Sequence, residues 1–210
     1  MRALKGARAN GVTTVMPTFN SRSVVGTIGL SALALFTACQ PGKSLDAVAG
    51  DDDESDAEPV AEGEPETMLG VTAAHNQVRA FLSKTLDKPL SPLVWDAEVA
   101  KVAQAYADGC AYGHSQGEYG ENLYAAAGKL ASAQEVVGAW AAEVENYDYA
   151  SGSCSGKCGH YTQVVWRDSQ RVGCGVAECK TGSPFEGFTE WQYWVCNYDP
   201  PGNWQGEKPY

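Results

Sequence analysis

Apolar positions along this chain recur first at helical spacing and then, late in the sequence, at every second residue. Helical spacing predicts a first helix from about Leu69 to Ser83 and a second opening at Asp96, a good N-cap, and running to about Cys110. In the second, Val99, Val102/Ala103, Tyr106 and Cys110 form one stripe to be buried. A third opens on the capping box Ser132-Ala-Gln-Glu135 and presents Val136, Trp140, Val144 and Tyr147 to the core. Gly120 to Ala127 reads as a short extended piece. Arg171 to Glu178 and Glu190 to Asn197 alternate like strands, with Gly182-Ser183-Pro184 between them. Helices first and strands late predict an α+β fold with an antiparallel sheet. These elements fill residues 68–210, one domain without internal repeats, long enough to bury roughly two-thirds of its unfolded surface.

The residues before 68 follow other rules. Arg22 precedes an apolar run, Val24 to Phe36, too short for a mature span of ~20 residues but right for an export signal. The run ends Leu35-Phe36-Thr37-Ala38-Cys39, which resembles a bacterial lipobox. Residues 1–38 therefore read as a lipoprotein-type signal peptide with Cys39 as the lipidated residue, against an ordinary signal with an incidental cysteine. Gln40 in place of Asp favours an outer membrane or cell surface, with secretion as the alternative. The first fifteen residues add nothing to the signal, so Met16 is a candidate start, which peptides found upstream of it would exclude. Residues 39–67 are acidic and free of aromatic residues, and read as a disordered tether.

Charge and cysteines narrow the function. The chain has 15 Lys+Arg against 26 Asp+Glu, a net charge of −11, which argues against nucleic-acid binding. Ten of the acids lie in residues 39–66, outside the core. Beyond Cys39, the six cysteines at 110, 154, 158, 174, 179 and 196 suggest three disulfides in an exported chain. A zinc site using Cys154 and Cys158 is the rival.

Three histidines carry the candidate chemistry. His114 follows the second helix, and Glu121 comes seven residues later in the extended piece. Glu143 lies seven residues after Val136 on the apolar face of the third helix, where an unpaired charge is expensive. His160 opens a segment with few charges. Two imidazoles and two carboxylates suit a divalent cation of the zinc type, or general acid and base work, or a structural role. His75, on the first helix, is expected to pack or hydrogen-bond locally. Ser115 beside His114 offers a nucleophile and a base, though adjacent residues rarely orient for that without a third group.

The stretches Ala74-His75-Asn76, His114-Ser115, Tyr119 to Leu123, Cys158 to Trp166 and Cys196 to Asn203 resemble the CAP superfamily of cysteine-rich secretory, antigen-five and pathogenesis-related class-one proteins. The plant class is the most similar, and the resemblance spans 68–210. It implies an α-β-α sandwich with a three-stranded antiparallel sheet between helices. It also implies that His114, Glu121, Glu143 and His160 line one central cleft, able to hold zinc or another divalent cation. The implied disulfides are Cys110–Cys179, Cys154–Cys158 and Cys174–Cys196, the first worth roughly 4 kcal/mol in the chain-entropy model. The implied function is a binding module for a sterol or other lipid, flanked by Leu123 to Leu130 and Tyr147 to Gly156. The alternative is a tetrad-based or metal-dependent hydrolase or protease. The residues after Asp199 resemble a plant tail that can be released as a peptide; the alternative is a tail packed over the sheet by Trp204 and Tyr210.

Overall fold

The computed structural model describes residues 60–210. The signal sequence, Cys39 and most of the expected tether lie outside the described residues. The helices are α1 (Val71–Ser83), α2 (Ala97–Asp108), α3 (Ala133–Ala142) and α4 (Gly159–Val164). The strands are β1 (Val94–Trp95), β2 (Gly120–Ala127), β3 (Tyr147–Asp148), β4 (Ser153–Cys154), β5 (Arg171–Cys179) and β6 (Trp191–Asp199). Both expected caps form. The Asp96 carboxylate accepts from Glu98 N and Val99 N, and Ser132 and Glu135 close a reciprocal capping box.

The main sheet has the order β1-β5-β6-β2. Its body is the expected antiparallel trio, with Cys174 opposite Cys196 and Glu121 opposite Asn197. A fourth strand corrects the strand count: β1 pairs in parallel with Arg171 and Val172. A strand of two residues, set between Pro92 and the N-cap Asp96, is too short to show an alternation. Strand alternation divides the core between the two faces. Leu123, Tyr193, Val195 and Cys179 pack with Ala103 and Ala107 of α2. Trp194, Cys196, Tyr198 and Val172 pack with Val71, Val136, Trp140, Tyr161 and Val164 from the other three helices. Helices on both faces make the sandwich. Helix α2 lies hard against β5: a Cβ on Gly173 would stand 2.1 Å from Ala100 N, so any side chain there forces the layers apart.

The three implied disulfides are all present. They fit a chain that folds in an oxidising compartment. One ties the end of α2 to the end of β5, one joins paired positions of β5 and β6, and one links β4 to the start of α4.

The folded unit begins before residue 68. Helix α1 has Gly70 at its N-cap and no capping side chain of its own. Glu64, buried, supplies the cap from upstream: its two oxygens accept from Gly70 N and Thr72 N, each at 2.7 Å. An acidic residue in an acidic run gives no sign in sequence of such a partner. Arg79 on α1 is fully buried and donates to the carbonyls of Ser91, Val164 and Trp166 at 2.8–3.0 Å. That one guanidinium fixes the C-terminal end of α4, the helix that carries His160.

Candidate functional site

Helix α3 ends at Ala142, and Glu143 is its C-cap. The Glu143 carboxylate reaches the first turn of α4. One oxygen accepts from His160 Nδ1 at 2.6 Å, the other from the backbone N–H of His160 at 3.0 Å and of Tyr161 at 3.4 Å. The charge on the apolar helix face is thus satisfied by another helix. His160 also stacks on Trp140, with ring centroids 6.2 Å apart.

The second pair is built differently. His114 sits in the loop after α2, and its Nδ1 lies 2.8 Å from Glu121 Oε1, which also accepts from Ser115 N at 2.9 Å. The hydroxyls of Tyr106 and Tyr193 both donate to Gly113 O and so pin the residue before His114. Burial pushes the Tyr193 phenol up to about 12, so it stays a donor. The His114 side chain is 56% exposed while Glu121 is 6% exposed, so the imidazole stands out on a buried carboxylate.

A carboxylate only accepts hydrogen bonds, so in both pairs Nδ1 carries a proton, and in the neutral imidazole Nε2 then carries the lone pair. That is the state in which imidazole ligates metal. The four side chains form two hydrogen-bonded pairs, each beside a pocket. One, of about 240 Å³, is lined by His114, Ser115, Glu121, Gln163, Gly202 and Asn203 among others. The other, of about 360 Å³, has Tyr112, Leu123, Trp140, Glu143, His160 and Phe185 in its walls. Among the described residues no group of three or more His, Cys, Asp or Glu is placed to hold an ion. Within the site implied by the resemblance, Glu121 comes from β2 with His114 from the loop after α2, and Glu143 and His160 come from the ends of α3 and α4. The chemistry of the donors suits a borderline cation, while their number falls short of a closed four-ligand site. Cys154 and Cys158 are bonded to each other, which removes them as zinc ligands.

A larger cavity, of about 560 Å³, lies between the end of β2 and the β5–β6 connection and contains none of the four residues. Of the two segments expected to flank a ligand, Leu123 to Leu130 lines cavities. Tyr147 to Gly156 instead folds into the β3–β4 hairpin, which receives the C-terminal tail. The Tyr210 ring stacks on Tyr149, its hydroxyl meets that of Tyr161 at 2.9 Å, and Lys208 Nζ donates to Tyr149 O and Ala150 O. The tail is held, but Trp204 is 57% exposed and its indole N–H donates only within the tail, to Pro201 O. His114 Nδ1 faces Glu121 as a base on its orienter would, but the hydrogen bond described for Ser115 Oγ is from Gly117 N and not to His114, so the nucleophile–base link is missing among the described residues.

His75 bonds locally as expected, and three further supporting residues, Asn122, Gln163 and Tyr198, carried no role in the sequence reading. His75 is fully buried, with Nδ1 on Val71 O and Nε2 on the Tyr198 hydroxyl. A carbonyl only accepts, so Nδ1 donates and Nε2 receives the phenol proton. The Tyr198 oxygen accepts in turn from Asn122 Nδ2, which also donates to His160 O at 3.0 Å. Burial holds the His75 imidazole down at about 4 and pushes the Tyr198 phenol far above its usual value, so the relay stays neutral. Gln163, 1% exposed, forms one wall of the His114 cavity and bonds Gly202 N and Ser169 Oγ. The available signal was polar residues inside otherwise apolar runs: Asn122 before Leu123, Gln163 before Val164 and Val165.

Residues 72–198 match the model of the cysteine-rich secretory protein family, CAP. Pathogenesis-related protein 1A of Nicotiana tabacum is 46% identical over 144 residues, covering 65% of this chain and 77% of the relative. A pathogenesis-related protein 1 of Arabidopsis thaliana is 42% identical over 154 residues, 71% of this chain and 84% of the relative. Among solved structures, the venom allergen-like protein 4 of Schistosoma mansoni superposes with TM-score 0.55 at 25% identity, over 70% of this chain and 95% of that one. The crystal structure of NaASP2 with Zn2+ gives TM-score 0.52 at 25% identity, over 67% of this chain and 82% of that one. With its sandwich, its disulfides and these matches, the chain belongs to the CAP family.

Proposed function

We propose that this protein is an exported binding module, tethered through Cys39, whose cleft beside His160 takes an amphipathic lipid or sterol. The carrying observation is the composition of the 360 Å³ cavity: Leu123, Ala125, Trp140, Tyr112 and Phe185 supply an apolar wall, and His160, Glu143 and Lys157 supply a polar end. An apolar body with one polar head matches that division. The test is mass spectrometry of lipids copurifying with the full-length protein, followed by binding of a fluorescent sterol to wild type and Phe185→Ser. Saturable binding weakened in the variant supports the reading; no lipid recovered and no saturable sterol binding overturns it.

A cation is the second part of the reading. It would be held by Nε2 of His114 and His160, with the glutamates as orienting partners and water or a ligand head completing the shell. Its support is the fixed Nδ1–H tautomer in both pairs, together with the relative solved with Zn2+. When bound, the ion would polarise an oxygen of the ligand. Calorimetry with zinc should show weak binding that falls as the solution is made more acidic, because only neutral imidazole ligates. Undiminished binding in the His114→Ala/His160→Ala double variant would exclude these ligands.

A further inference from the structure

Glu121 and Glu143 do the same work for their histidines, but only Glu143 is held at both oxygens within the hydrogen bonds described. Glu121 Oε1 accepts two N–H groups, whereas its Oε2 is buried without any hydrogen-bond partner. A bare carboxylate oxygen in the interior is costly, so a donor is required there. The strand register says which group stands next to it. Glu121 pairs directly with Asn197 across β2 and β6, which puts both side chains on one face with Cβ atoms about 5 Å apart. Asn197 is 3% exposed, and its Oδ1 also lacks a partner. On its other flank Asn197 pairs with Gly173, which has no side chain and is closed off by the α2 backbone. Across the ladder, the side chain that Asn197 meets is therefore that of Glu121.

Two buried acceptors on facing positions repel. Turning the Asn197 amide by 180° about its last torsion exchanges oxygen for nitrogen, moves no other atom and places a donor beside the carboxylate. We propose that Asn197 is the positioning residue of the His114–Glu121 pair, its Nδ2 donating to Glu121 Oε2. The result is a chain Asn197–Glu121–His114 in which both carboxylate oxygens are engaged, as in Glu143, and the imidazole is fixed with Nε2 outward. This holds whether or not either cleft takes a lipid or a cation.

The test is NMR of the full-length protein labelled with 15N in asparagine and histidine, at pH 7. One Asn197 side-chain amide proton should be shifted downfield and exchange at least tenfold more slowly than those of exposed asparagines. His114 should show the Nδ1–H tautomer alone in wild type, and a mixture in Asn197→Leu, which removes the donor, and in Asn197→Asp, which replaces it with an acceptor. A merely structural role would lower stability without changing the tautomer. Three results overturn the proposal: amide protons exchanging like exposed ones, a Glu121 carboxyl carbon at the protonated shift, or an unchanged His114 tautomer in folded Asn197→Leu. Should both variants fail to fold, the wild-type amide signal decides alone.

Discussion

The His160–Glu143 pair joins the end of one helix to the start of another, whereas the His114–Glu121 pair joins an exposed loop to an edge strand. Behind His160 stands a continuous buried frame: Arg79 on the carbonyls after α4, and the His75–Tyr198–Asn122 relay ending on His160 O. Behind His114 stand the two tyrosines on Gly113 and the buried Glu121. The same residue types thus yield a well-framed imidazole at 28% exposure and an open one at 56%. Side-chain identity sets the tautomer, and the depth of the supporting layer sets how far the ring is free to adapt to a ligand.

The largest disturbance of this contrast should come from Arg79→Leu. It strands buried carbonyls of α4 and the following turn, and each unsatisfied group costs about 1–3 kcal/mol, so a loss of about 4 kcal/mol in urea unfolding is expected. If the variant still folds, NMR signals of His160 should move more than those of His114. Equal movement would show that the two pairs share one frame.

Acid should act on the same side. The His75 imidazole ordinarily titrates at 6.5 and is held at about 4 in the fold. Between those values the unfolded chain binds a proton that the native state refuses, so stability falls as pH drops through this window. The contribution is intact above 6.5, and its full loss near pH 4 is roughly 3 kcal/mol. Thermal unfolding from pH 7 to pH 4 reads it, and His75→Phe should flatten the slope. An unchanged slope in that variant would assign the acid effect to other groups.

Gly120→Ala disturbs the other side. Its Cβ would stand 2.3 Å from Gln163 Oε1, and Gln163 is locked by Gly202 and Ser169. A destabilisation of about 2 kcal/mol is expected, with signals of His114 shifting more than those of His160. The smallest effect is predicted for Trp204→Ala: within about 0.5 kcal/mol of wild type, because the indole is exposed. Tyr210→Ala should cost about 1–2 kcal/mol, since it removes the stacked ring and the bond to Tyr161.

Local patterns in the chain determined much of this. The caps at Asp96 and Ser132, the two long strands and an even set of cysteines are all written in short stretches of residues, and all formed; of the stripe expected on α2, Val99 and Ala103 are buried while Val102 is 48% exposed and Cys110 lies past the helix end. Glu143 was legible because charge on an apolar face needs a partner, whereas His114, Glu121 and His160 stood out as sparse histidines and a nearby acid, joined into one set only by the family resemblance. Which partner each one takes was not legible, because the Glu143–His160 contact spans seventeen residues and depends on where α3 ends relative to α4. That the four occur as two hydrogen-bonded pairs depends on which carboxylate each imidazole meets in space, which resemblance to a family does not show. Glu64, Arg79 and Asn197 were silent in sequence for the same reason. Each is an ordinary polar residue until tertiary packing buries it next to backbone or side-chain groups that need a hydrogen bond, and only the folded chain decides which polar residues those are.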